Sequence, residues 1–347
     1  MPPRAAVFAA CAAGAALAVL CACGAGAATA PTVQTVTGRT QGTTYRVSYV
    51  GPRRVDEVRT NVEAEFATFD RAYSHWRDDA TIARFNAHAS TEPFDVGAAF
   101  VAVVRDALDI AMRSDGAFDP TVFPLVSALG FGPTPVRDPD PAGIAAAREL
   151  VGHQKLRVVD DRHLAKSDPR MTIDLNAFVP GVTVDRVVAR LGELGCVAAM
   201  VEIGGEVRCF GVKPDGQPWR IGIEAPDRAG APGPTVVQEI VALRDAALAT
   251  SGNYRRFAES GGARRHHVLD PRTGANAQND VVSVTVTAST CALADALATT
   301  LMVVGPDGAE AVLARFDDAK LGAMFLLRAD AAADVVVRRF RWSVGPD

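Results

Sequence analysis

Residues 290–302 read Thr-Cys-Ala-Leu-Ala-Asp-Ala-Leu-Ala-Thr-Thr-Leu-Met, an almost wholly apolar run holding one carboxylate, Asp295. The pattern predicts a helix over about 290–304, buried on most of its circumference. Asp295 and Thr299 lie four residues apart and so share a face, roughly opposite the stripe of Leu293, Leu297 and Leu301. A buried carboxylate without a partner costs several kcal/mol or gives up its charge. Asp295 therefore needs a cation, a set of hydrogen-bond donors or a metal ion, or else it caps nearby backbone; the residue types leave both readings open. If a metal sits there, oxygen-only ligation suits Mg2+, which takes few protein ligands and completes its shell with water and phosphate.

Residues 266–274, His-His-Val-Leu-Asp-Pro-Arg-Thr-Gly, place two histidines on a short strand that runs into a turn. Ordinary turn chemistry accounts for Asp270, Pro271 and Gly274. Strand alternation sends His266 and His267 to opposite faces, so one ring can point inward as a general base while the other meets solvent. Segments 249–254 (Ala-Thr-Ser-Gly-Asn-Tyr) and 201–206 (Val-Glu-Ile-Gly-Gly-Glu) read as glycine-punctuated turns beside strands, able to offer N–H groups to phosphate or simply to reverse the chain. No GxGxxG or GxxxxGK[ST] is present, and Ser251 lacks the GxSxG elbow, so neither a nucleotide fingerprint nor a serine hydrolase is indicated.

The elements that must position these groups mix without a βαβ rhythm. Alternating β-formers predict a strand over 43–50, and Val55, Val58, Val62, Phe66 and Phe69 stand at helical spacing over 54–69. A second helix is expected over about 96–113, and the proline-rich stretch 133–142 is expected to be a surface crossing. Then come a strand at 171–175, a helix at 184–194, and a hairpin of 198–203 and 206–210 about Gly204-Gly205. Strands are expected near 236–243 and 281–287, followed by the Asp295 helix and a closing pair at 321–328 and 334–340. No repeat of fixed period occurs, and the expected fold is α+β, a single compact body.

The chain has 347 residues, 48% apolar and 22% charged, enough for a sizeable core, and its net charge of −4 gives no basic field for holding nucleic acid. Arg4 followed by the apolar run Ala5 to Leu20 has the order of a secretory signal, and at sixteen residues it is shorter than a membrane span. Leu20-Cys21-Ala22-Cys23-Gly24 resembles a bacterial lipobox, which would make Cys23 a lipidated N-terminus; cleavage in the Ala-rich stretch up to Ala30 is the alternative. Either outcome exports the protein, to the periplasmic face of the inner membrane as a lipoprotein or to the soluble periplasm. The expected organisation is a signal at 1–22, a tether at 23–36 and the folded body at 37–347. Of six cysteines, Cys11 and Cys21 leave with the signal, and Cys196, Cys209 and Cys291 read as buried small hydrophobes.

Taken together, the segments resemble the ApbE family of FAD:protein FMN transferases from about residue 40 to 305. The resemblance is carried by Gly42-Thr43-Thr44-Tyr45, Ile82-Ala83-Arg84-Phe85-Asn86, Asp115-Gly116-Ala117-Phe118-Asp119-Pro120-Thr121 and Ile173-Asp174-Leu175-Asn176-Ala177. It continues through Val184-Asp185-Arg186-Val187, Glu202-Ile203-Gly204-Gly205-Glu206, Thr250-Ser251-Gly252-Asn253-Tyr254, His267 to Gly274, and Asp295 to Thr299. The resemblance implies Mg2+-dependent transfer of FMN from FAD to a Thr or Ser hydroxyl of an exported flavoprotein, with release of AMP. It implies a metal site of Asp295, Thr299 and the Ala177 carbonyl, and His267 as the base. Contacts to FAD would fall at Gln41, Trp76, Ala117, Phe118, Asp119, Asp174 and Leu269. Where the family usually carries Lys or Glu before a Gly, this chain has Pro180 before Gly181, so the FAD-binding contact at Pro180 is lost or replaced. Ser74-His75-Trp76 stands where Ser-Thr-aromatic is common. A hydrolase splitting FAD with water, or a weakly catalytic FAD-binding lipoprotein, are the alternative readings.

Overall fold

Strands β1 (Gln34–Thr40) and β2 (Thr43–Val50) form a hairpin in which Thr40 faces Thr43 across the two-residue loop Gln41-Gly42. Both loop residues have positive φ, 49° and 75°, the twist that suits a tight hairpin loop, so Gln41 is held at its tip. β1 begins within the stretch read as a tether, because Val36 is already buried in the core. The computed structural model describes residues 32–131, 140–225, 236–253, 257–260, 263–266, 268–277, 279–328 and 334–344.

Helix α1 (Val55–Tyr73) buries Val58, Val62, Phe66, Phe69 and Tyr73, continuing one turn beyond the expected span. There follow α2 (Thr81–Ala87), β3 (Phe94–Asp95), α3 (Ala98–Arg113), α4 (Phe123–Ala128) and α5 (Pro141–Glu149). α5 starts inside the expected surface crossing: Asp140 accepts from the Ala142 and Gly143 N–H groups, and Pro141 sits where a helix needs no N–H. β4 (Leu156–Val158) and β5 (His163–Lys166) join β3 in a small sheet ordered β3-β5-β4.

Helix α6 (Val179–Glu193) leads to the hairpin of β6 (Ala198–Ile203) and β7 (Glu206–Phe210), which turns at Gly204-Gly205 as expected. β8 (Trp219–Glu224) pairs with β9 (Val237–Leu243). β10 (Ala246–Gly252) follows, then the pair β11 (Phe257–Ser260) and β12 (Ala263–His266), and then β13 (Val281–Ala288). Helix α7 (Cys291–Leu313) and strands β14 (Gly322–Leu327) and β15 (Val336–Phe340) end the described fold.

The main sheet has eight strands in the order β1-β2-β6-β7-β10-β13-β14-β15, with every neighbouring pair antiparallel. α6 packs on α1, α7, β6 and β7, while α7 lies on β10 and β13. The opposite face contributes Val207, Cys209, Leu248, Met324 and Leu326 to a second core with Trp219, Ile223, Val241 and Leu243 of the β8–β9 pair. The α+β expectation holds, and Cys196, Cys209 and Cys291 are free and buried.

Two expected elements differ. Residues 171–175 form no strand: the Asn86 side-chain amide bonds Ile173 at both its N–H (2.8 Å) and its carbonyl (2.9 Å), and the Asp174 N–H goes to the Pro120 carbonyl (2.7 Å). A side chain replaces the missing strand partner. Residues 249–252, read as part of a turn, instead finish β10, where the Ala247–Gly252 stretch pairs with Ala288–Ser283 of β13. Small residues there allow the close approach of α7 rather than a reversal.

Candidate functional site

α7 is long and apolar enough to cross a membrane by composition, yet most of it is buried in the protein. Two caps hold its first turn. Thr290 accepts from the Leu293 N–H, and the Asp185 carboxylate of α6 accepts from the Cys291 (2.9 Å) and Ala292 (3.0 Å) N–H groups while paired to Arg208 at 2.6 Å. A carboxylate at a helix N-terminus stabilises through both the hydrogen bonds and the helix dipole. The helix breaks at Gly305, φ 69°, just before Pro306, so the N-terminal half is a separately capped unit.

Asp295 lies in that half, only 6% exposed. Its Oδ2 accepts from the Gly181 N–H at 3.0 Å, and among the described residues Oδ1 has no hydrogen-bond partner. Burial pushes the carboxyl up to about 7, against the lowering effect of the Gly181 N–H and with a further rise from the Asp185 charge. The two helices meet this closely because residue 181 has no side chain: a Cβ there would stand 2.5 Å from the Cys291 carbonyl oxygen.

Gly181 has a second effect. As the third residue of α6 its N–H has no partner within the helix, and Asp295 supplies one. Among the described residues the Ala177 carbonyl accepts no hydrogen bond, and the Ala177 residue is only partly buried. Thr299, one turn from Asp295, is partly buried, with its Oγ1 3.0 Å from Ser251 Oγ on β10. The carboxylate of Asp295 and the hydroxyl of Thr299, one turn apart on α7, offer oxygen ligands alone, the type a hard cation such as Mg2+ takes. Among the described residues no three His, Cys, Asp or Glu gather to hold a metal, so a site built on several carboxylates is absent there.

Beside this pair of helices the structure gathers a second set. Phe118 is buried, its ring edge-on to Phe178, the residue before α6, at 6.2 Å between centroids; Ala117 is buried next to it. Asp119 is also buried and fully used: Oδ1 accepts from the Thr121 N–H and hydroxyl, and Oδ2 from the His153 N–H at 2.7 Å. Asp174 is joined to this segment through the Pro120 carbonyl, and Asn176 N–H donates to its Oδ1 at 2.7 Å. Gln41, exposed at its hairpin tip, donates to the Thr183 hydroxyl of α6 at 2.9 Å. Trp76 is 78% exposed, and Leu269 is buried in a smaller cluster with Leu125 and Leu129. His267 lies outside the described residues; His266 ends β12.

A model of the ApbE family matches residues 41–325. The chain belongs to the ApbE family. It is 38% identical over 292 residues to the FAD:protein FMN transferase of Klebsiella pneumoniae (strain 342), spanning 82% of each chain. It is 39% identical over 284 residues to the FAD:protein FMN transferase of Vibrio cholerae, spanning 80% of this chain and 83% of the relative. The Pseudomonas stutzeri flavinyl transferase ApbE in its apo form superposes with a TM-score of 0.78 at 36% identity, covering 89% of this chain and 95% of that one.

Pro180 is the second residue of α6. Proline is tolerated in a first helical turn, whose N–H groups have no helical partner, so it costs the helix little while supplying neither charge nor donor. Three contacts go beyond what the sequence reading assigned. Asp185 caps a helix more than a hundred residues away, Ser251 meets Thr299 across the α7–β10 contact, and His153 braces Asp119; none of these carries a local signal.

Proposed function

We propose that this chain, like the relatives it matches, transfers FMN from FAD to a protein, and that the acceptor is a Thr or Ser hydroxyl, AMP the leaving group and Mg2+ the required cation. The observation that carries the metal reading is the buried Asp295 carboxylate, which has one hydrogen bond, from the Gly181 N–H, among the described residues. Asp295, Thr299 and the Ala177 carbonyl would hold the ion. When bound, Mg2+ supplies positive charge to the pyrophosphate and so favours departure of the AMP phosphate.

The chain's own residues account for the rest. Exposed Trp76 offers a ring face to an aromatic ring of FAD, and Ala117, Phe118, Asp119, Asp174 and Leu269 are the further residues that would contact FAD. Gln41 closes the site over α6. His267 takes the proton of the acceptor hydroxyl as its oxygen attacks the FMN phosphorus; the P–O bond to AMP breaks, and AMP carries away the electron pair. Pro180 leaves a gap in polar contacts that water as acceptor could use, which favours FAD hydrolysis to FMN and AMP as the second reading.

The export signal and the lipobox at Cys23 support a periplasmic location and an exported acceptor. Incubation of the purified protein with FAD, Mg2+ and a Thr-bearing acceptor protein tests the reaction. Covalent flavin on the acceptor with one equivalent of AMP is expected. Free FMN and AMP with no labelled acceptor would replace transfer by hydrolysis, and intact bound FAD would refute both.

A further inference from the structure

His75 follows helix α1 and lies against Asp174, and none of the roles above uses it. Its side chain is 5% exposed, its ring stacks on Phe123 at 4.4 Å and 16°, and Nε2 points to within 3.5 Å of Asp174 Oδ1. Nε2 is buried and has no hydrogen-bond partner among the described residues. A buried ring nitrogen left unpaired is costly, and facing a carboxylate it is favourable only as a donor, with the proton on Nε2.

The surroundings leave Asp174 little freedom except at its carboxylate. The Asp174 N–H is tied to Pro120, and Ile173 before it is gripped by Asn86, whose own carbonyl accepts from buried Lys166 Nζ at 3.0 Å. At the side chain, Oδ1 takes one hydrogen bond, from Asn176 N–H, and Oδ2 takes none among the described residues. The backbone is clamped, and of the two carboxylate oxygens one is held by a single N–H. His75 Nε2 is the second donor on the Oδ1 side, short of hydrogen-bond geometry by a few tenths of an ångström.

We propose that His75 is a positioning residue: Nε2–H closes on Asp174 Oδ1 when FAD engages the free Oδ2, locking the carboxylate in one rotamer. The proposal rests on the reading that Asp174 contacts FAD. It makes FAD affinity depend on a donor at residue 75, whatever the packing of the ring.

Two variants separate donor from packing. His75→Phe keeps a ring against Phe123 and removes the donor; His75→Gln places an amide N–H near the position of Nε2. In FAD titrations at fixed Mg2+, His75→Phe is expected to raise Kd by about 10-fold or more, the scale of a hydrogen bond to a charged group, and His75→Gln to recover most of that loss. In an Asp174→Ala background, His75→Phe should add no further loss, since coupled residues are not additive. Unchanged affinity in His75→Phe, a His75→Gln variant as weak as the Phe variant, or full additivity with Asp174→Ala would each overturn the proposal. Failure of the wild type to bind FAD would instead refute the flavin reading. The pair is then judged by the 15N shifts of the His75 ring in the FAD-free protein: a protonated Nε2 is expected, and an unprotonated Nε2 overturns the proposal.

Discussion

Replacing Asp295 by Asn should change how the metal-free protein responds to pH more than it changes the fold. The carboxyl titrates near 3.8 when free and is raised to about 7 by burial in the folded chain. Between those values the unfolded chain has released this proton and the folded protein has kept it, so raising the pH favours unfolding. The contribution is fully present below about pH 4 and lost as pH climbs through about 7. At about 1.4 kcal/mol for each pH unit, the wild type gives up on the order of 4 kcal/mol across that interval. Asn at 295 keeps the shape, can still accept from the Gly181 N–H, and has nothing to titrate. Urea denaturation in EDTA at several values between pH 4.5 and 8 measures the difference between the two proteins, which cancels the other titrating groups. The stability of wild type minus that of Asp295→Asn should fall steadily with pH. Adding Mg2+ should restore stability to the wild type alone, most strongly at the upper end where no proton has to be displaced. A difference that stays flat over the range, or a Mg2+ effect equal in both proteins, would refute the assignment of a neutralised, cation-ready carboxyl at this position.

Gly181→Ala forces a methyl group against the Cys291 backbone; a loss of ~1–3 kcal/mol in denaturation is expected, with transfer falling further than stability because α7 carries Asp295 away from its donor. Wild-type stability and activity in that variant would disprove the close-approach argument. His267→Ala should lower transfer ~10²–10⁴-fold with FAD affinity kept, and His266→Ala should do little; equal effects in single-turnover assays would remove the reason for choosing one ring. Cys23→Ser should move the protein from the membrane to the soluble fraction with activity of the folded body unchanged, and a mature wild-type N-terminus near residues 28–30 would exclude lipidation.

What the sequence made legible was local. The 198–210 hairpin follows from two short β-rich runs about Gly204-Gly205, and the helical spacing of Asp295 and Thr299 needs only the period of an α-helix. The mistaken strand at 171–175 has the right residues for one; its hydrogen bonds are taken by Asn86, far earlier in the chain, and no pattern announces that. The mistaken turn at 249–252 arose because Gly252 marks the end of β10, and only the pairing with β13 shows that its small residues serve packing. Asp295 declared itself as a charge in an apolar helix, but its contact with the Gly181 N–H depends on how α6 and α7 meet, which no local pattern carries.

The strand order also governs when this protein can exist as an enzyme. β2 lies next to β6, with Tyr45 paired to Ile203, so the N-terminal hairpin keeps an open edge through the making of the whole first half of the chain. Such distant pairings are slow to form, and an unpaired edge is a site for sticking to other chains. β10 in turn needs β13 on its far side, and the face that α7 covers is completed only when both are in place. The carboxylate and hydroxyl on α7 thus arrive on the last major helix and dock onto α6, which was made more than a hundred residues earlier. A chain stopped before residue 299 lacks that hydroxyl and the core residues Leu301, Leu313 and Phe325 that pack with Phe118, so a truncated product is expected to be aggregation-prone and inert rather than partly active.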